Sequence, residues 1–171
     1  MENISGEQLS GALKSLGVAF ILDEMAPEDS LSRQPTQMLA ALAASDEARL
    51  RLALIPLLLQ HPEFSAYASA ADRRLSHQKR VTLRCYYTAA RYLQQKYRSR
   101  LDALPGHTLW LPDLFSTELQ LKNASDPEIG LNELGRRHQQ LSGLHINWRG
   151  TYEHAALRYF THLERKKEWQ I

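Results

Sequence analysis

The chain has 171 residues, of which 43% are hydrophobic, and a formal net charge of +2, so it is long enough to bury a core as one domain. Its only cysteine, Cys85, excludes an intramolecular disulfide and a cysteine-based zinc site, and favours a reducing, cytoplasmic compartment. The apolar run at residues 52–59 is too short to cross a bilayer, and the first residues lack a signal-peptide pattern, so we expect no membrane partner.

Helical periodicity begins near the N-terminus. Ser5, followed three residues later by a glutamine, has the form of a capping box, and the leucines after it predict a helix over residues 6–23. A second helix is predicted to begin near Pro35. Residues 47–59 are apolar nearly all round, which is typical of a buried central helix, and Pro56 should kink it.

The second half of the chain continues the helical pattern. One long helix is predicted over residues 72–104, and a short helix should open at Pro112 and run to residue 119. Asp126, with a proline after it, predicts an N-cap for a helix that stops at Gly143. Thr151 is the predicted cap of a last helix that runs to about residue 169.

These patterns predict an all-α protein. We find no internal repeat and no alternation typical of strands. The expected architecture is a single helical domain over residues 1–171, a bundle of about six to seven helices around one long central basic helix. A helical appendage formed by residues 1–34 is the alternative organisation.

The charge of the chain is distributed unevenly. Residues 73–100 contain nine basic and no acidic residues, whereas residues 1–72 carry a formal charge of −6. On one helix, five arginines would fall within a sector about 40° wide and form a ridge about 37 Å long. We call these residues the arginine ridge: Arg73, Arg80, Arg84, Arg91 and Arg98.

Three interpretations of the arginine ridge stay open. Acidic residues near the N-terminus could neutralise it inside the fold, and the candidates for that role are Asp23, Glu24, Glu28 and Asp29. An acidic protein partner or nucleic-acid phosphates could bind it instead, because arginine forms paired contacts with both groups. The same surface could include Trp110, which would either lock its turn-rich segment onto the core or anchor an interface.

Common catalytic signatures are absent from the sequence. It has no glycine-rich phosphate loop, no zinc-protease motif and no nucleophile elbow, so no metal and no cofactor is expected. Arg149 and His154 have the spacing of the ribonuclease motif of helical HEPN domains, but Arg100 and His107 have a comparable spacing, so chance explains both pairs. We therefore expect a protein that is not an enzyme.

Three segments resemble a group of small, uncharacterised prokaryotic proteins encoded beside nucleotidyltransferase genes. These segments are RLALIPLLLQHPEF at residues 51–64, YYTAARYL at 86–93 and LPDLFS at 111–116. The resemblance covers most of residues 47–160 and implies a helical partner of the antitoxin or regulator kind, without catalytic residues. We therefore expect a non-catalytic interaction protein with an acidic protein partner, a small ribonucleoprotein subunit as the alternative, and a HEPN-like ribonuclease as the third.

Overall fold

All regular secondary structure in the described part of the chain is helical, as predicted. A computed structural model describes residues 3–18, 30–104 and 109–169, with side chains as far as residue 166. Among these residues, no helix is both long and apolar enough to span a membrane. The helices are α1 Gly6–Ser15, α2 Pro35–Ala44, α3 Ala48–Leu52, α4 Leu54–Gln60, α5 Ser65–Arg73, α6 His77–Lys96, α7 Arg98–Asp102, α8 Pro127–Ser142 and α9 Trp148–Trp169.

Helix α1 begins as predicted and ends earlier. The Ser5 capping box is present, which confirms the predicted start. Gly17 adopts a left-handed conformation with φ of 76°, and the amides of Gly17 and Val18 bond back to Lys14 and Leu13. This Schellman motif ends the helix after Ser15, so the predicted continuation through residue 18 is wrong. The predicted residues 19–23 lie outside the described part of the chain.

The apolar segment over residues 47–59 forms two helices. Helix α3 ends at Leu52 and α4 begins at Leu54, so Ala53 separates the two helices. Pro56 has no amide hydrogen for the carbonyl of Leu52, which explains why the helix is interrupted at Ala53, whose own backbone stays in the helical region with φ of −63° and ψ of −16°. Residues 53–59 are all buried, which confirms the predicted burial there, whereas residues 47–49 at the start of the segment are exposed.

The long helix predicted over residues 72–104 is three helices, α5, α6 and α7. Helix α5 ends at Arg73, and Ser76 has an extended conformation before α6 begins at His77. A second break falls at Tyr97, whose φ of −101° and ψ of 26° leave the helical region. The arginine ridge therefore spans three helices instead of one.

Helix α6 lies at the centre of the fold and packs against α2, α4, α8 and α9. Its contact with α8 depends on Gly130, because a Cβ atom there would lie 2.4 Å from the buried ring of Tyr92. Gly130 therefore sets how closely α8 approaches the central helix. The leucines of α1 belong to the same core cluster as the buried residues of α6 and α9.

The caps of the last two helices differ in how well the sequence predicted them. Asp126 caps α8 and Gly143 ends it with φ of 71°, as predicted. Helix α9 begins at Trp148, and its cap is Asn147, whose side chain accepts from the amide of Gly150 at 2.9 Å. Thr151 lies inside the helix and donates its hydroxyl to the Asn147 carbonyl, so the prediction of a Thr151 cap is wrong.

The segment after Pro112 is not the short helix that its proline predicts. Residues 115–120 form hydrogen-bonded turns, in which Leu121 bonds back to Ser116 and Leu119 to Phe115. Gln120 has a positive φ of 58°, which stops helical propagation. The segment is therefore irregular structure that buries Leu111, Phe115 and Leu119 in the core.

A buried aromatic cluster joins α6, α8 and α9. His138 stacks on Trp148 with ring centroids 3.5 Å apart, and its Nδ1 atom lies 2.5 Å from the Tyr152 hydroxyl oxygen. The ring of Tyr86 meets the His138 ring edge-on. Burial lowers the pKa of His138 to about 3, so its imidazole is neutral in the folded protein at pH 7.

We expect Gly130→Ala and Gly135→Ala in α8 to change stability in opposite directions. The first should lower the free energy of unfolding by about 1–3 kcal/mol through overpacking against Tyr92. The second should raise it by up to about 1 kcal/mol, because a Cβ atom there has its nearest contact at 3.4 Å and alanine favours the helix. Urea unfolding measures both; equal effects would contradict this packing.

The buried His138 predicts a specific loss of stability in acid. In the unfolded chain its pKa is about 6.5, so below that pH the unfolded state binds a proton that the folded state does not. The stability present above pH 6.5 should fall by about 2 kcal/mol by pH 5 from this group alone. Urea unfolding of His138→Gln at pH 7 and pH 5 should show a smaller pH dependence than the original chain, and an unchanged dependence would refute it.

Candidate interaction surface

Arg84 of the arginine ridge is paired inside the protein. Its Nε and Nη2 atoms donate to the two carboxylate oxygens of Asp72 at 2.8 and 2.9 Å. Asp72 is buried, and its hydrogen bond is the main reason why the pKa of Arg84 is raised. Such a two-point contact fixes the position of α6 against the end of α5.

Arg80 also has a structural role. Its Nε atom donates to the carbonyls of Asp72 and Leu75, both at 3.0 Å, and its Nη2 atom to that of Arg73 at 3.3 Å. Asp72 and Arg73 belong to the last turn of α5 and Leu75 follows it, so these carbonyls lie at the C-terminal end of that helix. Arg80 therefore caps α5.

The remaining three ridge arginines lie on different elements. Arg73 is exposed at the end of α5, and Arg98 is exposed at the start of α7. Arg91 donates to the Asn123 side chain at 3.3 Å and lies over the ring of Tyr92. The predicted acidic partners at residues 23, 24, 28 and 29 lie outside the described residues. Asp72, which the charge pattern did not single out, is the acid that pairs with Arg84.

The segment around Trp110 is held by a buried glutamine. Gln94 is 2% exposed, and its side-chain amide donates to the Leu109 carbonyl at 3.0 Å and accepts from the Leu111 amide at 2.8 Å. Both polar ends of one side chain are thus bonded to the backbone on either side of Trp110. We call this arrangement the Gln94 clamp. It fixes the backbone on both sides of Trp110 while the Trp110 side chain stays 42% exposed.

Two further contacts fix the same segment. The Tyr87 hydroxyl donates to the Pro112 carbonyl at 2.8 Å, and the Tyr87 ring meets Phe115 edge-on at 5.3 Å. The carboxylate of Asp113 accepts from the amide of Ser116 at 3.1 Å. Backbone at several successive positions is therefore tied either to α6 or to the following turn.

The side chains that this segment presents are apolar and exposed. Leu109 is 55% exposed and Trp110 is 42% exposed, although the Gln94 clamp fixes the backbone of this segment. The guanidinium of Arg98 lies 4.8 Å from the centre of the Trp110 ring. The Nε atom of Arg98 lies 3.8 Å from its nearest carboxylate, which is that of Asp102. We define the Trp110 surface as Arg98, Leu109 and Trp110. The structure thus brings together two of the predicted binding residues.

Arg149 and His154 do not form a joint site in this chain. The Arg149 guanidinium contacts the carboxylate of Glu128 and the side chain of Asn132. His154 is exposed and lies five residues further along α9, which places it about 140° around the helix from Arg149. Arg149 instead joins α8 to α9, next to a Lys96 ammonium that bonds to Glu153.

The structure gives no support to a reactive cysteine or to a metal site among the described residues. Cys85 is buried, and burial raises the pKa of its thiol despite the opposing effect of Arg84, so the reactive thiolate is disfavoured. Among the described residues, no group of three or more histidine, cysteine, aspartate or glutamate side chains is placed to hold a metal ion.

No family model matches this chain, and neither a curated protein nor a solved structure shows significant similarity to it. The resemblance to proteins encoded beside nucleotidyltransferase genes therefore stays a prediction, as do the roles that it implies.

Replacing Gln94 should release the segment around Trp110. In Gln94→Leu, the amide of Leu111 and the carbonyl of Leu109 lose their partner, which should cost about 1–3 kcal/mol of local stability. Hydrogen exchange of the Leu111 amide should accelerate, while that of α8 stays slow. Gln95→Leu, on the adjacent and half-buried position, is the matched control. Equal exchange of Leu111 in both variants would rule out the clamp.

Proposed function

We propose that this chain is a non-catalytic helical protein that binds an acidic protein partner through the Trp110 surface. Its role would be antitoxin-like or regulatory, toward an enzyme encoded nearby, and its location cytoplasmic. The lone cysteine supports a reducing compartment. The resemblance found in the sequence supports the regulatory role.

One observation carries this proposal: the Gln94 clamp holds an exposed tryptophan in a fixed position. An aromatic side chain that only filled the core would be buried, whereas Trp110 is 42% exposed. A preformed backbone lowers the entropy lost on binding, since the loop need not become ordered in the complex. Such a rigid aromatic is the kind of residue that dominates the binding energy of protein interfaces.

The composition of the Trp110 surface favours a protein partner with carboxylates. Tryptophan and arginine are the residues most enriched among interface hot spots, and Leu109 extends the apolar contact. Arg98 has a side-chain exposure of 68% and a long contact to Asp102, so a partner carboxylate can replace that contact. Electrostatic attraction of this kind raises the rate of association and selects acidic partners.

Nucleic acid is the second candidate, because Arg98 beside an exposed aromatic ring also suits a stacked base and its phosphate. The internal roles of Arg80 and Arg84 count against it, since they shorten the basic surface that a phosphate backbone could follow. Salt separates the two candidates. Binding to phosphates weakens steeply and log-linearly with salt, whereas an interface with an apolar centre weakens much less.

The location of the arginines decides which variants test the proposal. Reversing the charge of Arg84 would leave the buried carboxylate of Asp72 without its partner and destabilise the whole fold. Charge changes for binding experiments therefore belong at the exposed Arg98, where no buried group depends on the guanidinium.

We expect Trp110→Ala to weaken partner binding by about tenfold or more, because truncation of an aromatic anchor typically costs at least about 2 kcal/mol. The partner would be purified with the tagged protein from its native cell after nuclease treatment, then titrated by calorimetry at two salt concentrations. Leu144→Ala is the control, because Leu144 is also exposed, at 54% against 42% for Trp110, but lies beside Trp148.

The proposal predicts that both variants unfold like the original chain and that only Trp110→Ala binds more weakly. Equal affinity of the two variants for the partner would argue against the Trp110 surface. Loss of all bound material on nuclease treatment would instead favour the nucleic-acid candidate.

A further inference from the structure

The backbone around Trp110 is hydrogen-bonded on one side. The side-chain amide of Gln94 bonds to the C=O of Leu109 at 3.0 Å and to the N–H of Leu111 at 2.8 Å. Among the described residues, no group bonds to the N–H or to the C=O of Trp110, which lies between these two positions. The Gln94 clamp therefore leaves one backbone donor and one backbone acceptor of Trp110 without a described partner.

Trans peptide geometry fixes the direction of these two groups. The C=O and the N–H of a trans peptide group point in opposite directions, and the described peptide bonds are all trans. The C=O of Leu109 shares a peptide group with the N–H of Trp110, and the N–H of Leu111 shares the next one with the C=O of Trp110. Because Gln94 binds the outer member of each group, the N–H and the C=O of Trp110 both point away from Gln94.

A donor and an acceptor of one residue that point the same way form the hydrogen-bonding edge of a β-strand. In an antiparallel pair, two opposite residues use these groups to exchange two N–H···O bonds. The edge lies at the protein surface, since Leu109 and Trp110 are both exposed. Backbone N–H and C=O groups need hydrogen-bonding partners, so a bound molecule that covers Trp110 has to supply one of each.

This requirement selects the backbone conformation of the partner. The interior N–H and C=O groups of a helix are already bonded within the helix, so they cannot meet those of Trp110. An extended segment has both groups available on one side of each alternate residue. The edge ends at Pro112, which has no N–H and whose C=O already accepts from the Tyr87 hydroxyl at 2.8 Å. In this direction, Trp110 is thus the last residue that can pair.

We propose that the protein partner binds the Trp110 surface through an extended segment, one residue of which exchanges two backbone hydrogen bonds with Trp110. This inference rests on the function proposed above and specifies the conformation of the partner. Apolar side chains of the segment lie against Leu109 and the Trp110 ring, and a carboxylate near the paired residue reaches Arg98. These side chains supply most of the affinity, because two hydrogen bonds contribute little net energy, whereas the backbone pair fixes the register.

The test begins with a displayed library of random linear peptides of about ten residues, the length of a long strand. The bait is the full chain, and peptides are kept when they shift the NMR signal of the Trp110 indole N–H. Each peptide is then synthesised with a single N-methyl group at every position in turn, which removes one backbone N–H at a time. Hydrogen exchange of the Trp110 amide is measured with and without the peptide.

N-methylation at one position should weaken binding by about tenfold or more, because it removes the donor to the Trp110 C=O and leaves that acceptor unpaired. The positions directly before and after it are the matched controls, since their N–H groups point away from Trp110 and their methylation should have little effect. In the free chain, the Trp110 amide should exchange much faster than the Leu111 amide, which is bonded to Gln94. Bound peptide should slow the exchange of the Trp110 amide.

The proposal is overturned if no peptide is enriched, if N-methylation has no position-specific effect, or if bound peptide leaves the exchange of the Trp110 amide unchanged. Trp110→Ala separates this inference from the proposed function, because it removes the ring and keeps both backbone groups. Peptides that bind Trp110→Ala weakly but show no N-methyl pattern would support the Trp110 surface and overturn the extended pairing. Peptides that bind Trp110→Ala fully and keep the N-methyl pattern would support the pairing and count against the aromatic anchor.

Discussion

Two polar side chains of α6, the half-buried Arg84 and the buried Gln94, bond to groups on other segments, and this constraint organises the surrounding structure. An unpaired polar group in the core costs more than a hydrogen bond contributes, so each such side chain orders whatever segment supplies its partner. Arg84 orders the end of α5 through Asp72, and Gln94 orders the backbone around Trp110. The central helix therefore determines both the turn at its N-terminal end and the exposed segment near its C-terminal end.

The same constraint separates structural from available positive charge. The arginines nearest the start of α6 bond to a buried carboxylate and to carbonyls at the end of α5, so they hold two helices together. Arg98 lies beyond the end of α6 and rests on an exposed tryptophan ring. Within a sequence segment that has nine positive charges, Arg98 thus forms part of a small, mixed apolar and basic surface. That composition fits a protein interface better than an extended phosphate backbone.

Local signals in the sequence predicted the helix ends that depend on neighbouring residues, including the capping box at Ser5 and the Asp126 cap of α8. Leucine periodicity predicted too long a first helix, because it took no account of Gly17, the residue whose left-handed conformation ends α1. The break before α6 depends on Arg80 and Asp72, and the Gln94 clamp joins residues more than a dozen positions apart. Such contacts leave no mark in local spacing. Trp110 could be named from the sequence, but its exposure could not.

The most direct test of the central claim replaces Trp110 with a photo-crosslinking aromatic residue in the native cell. We predict one dominant adduct with a protein on irradiation, and no such adduct when the same residue is placed at position 144, which is exposed to a greater extent than Trp110. An adduct with nucleic acid, or the same protein adducts at both positions, would contradict the claim that Trp110 anchors a specific protein interface.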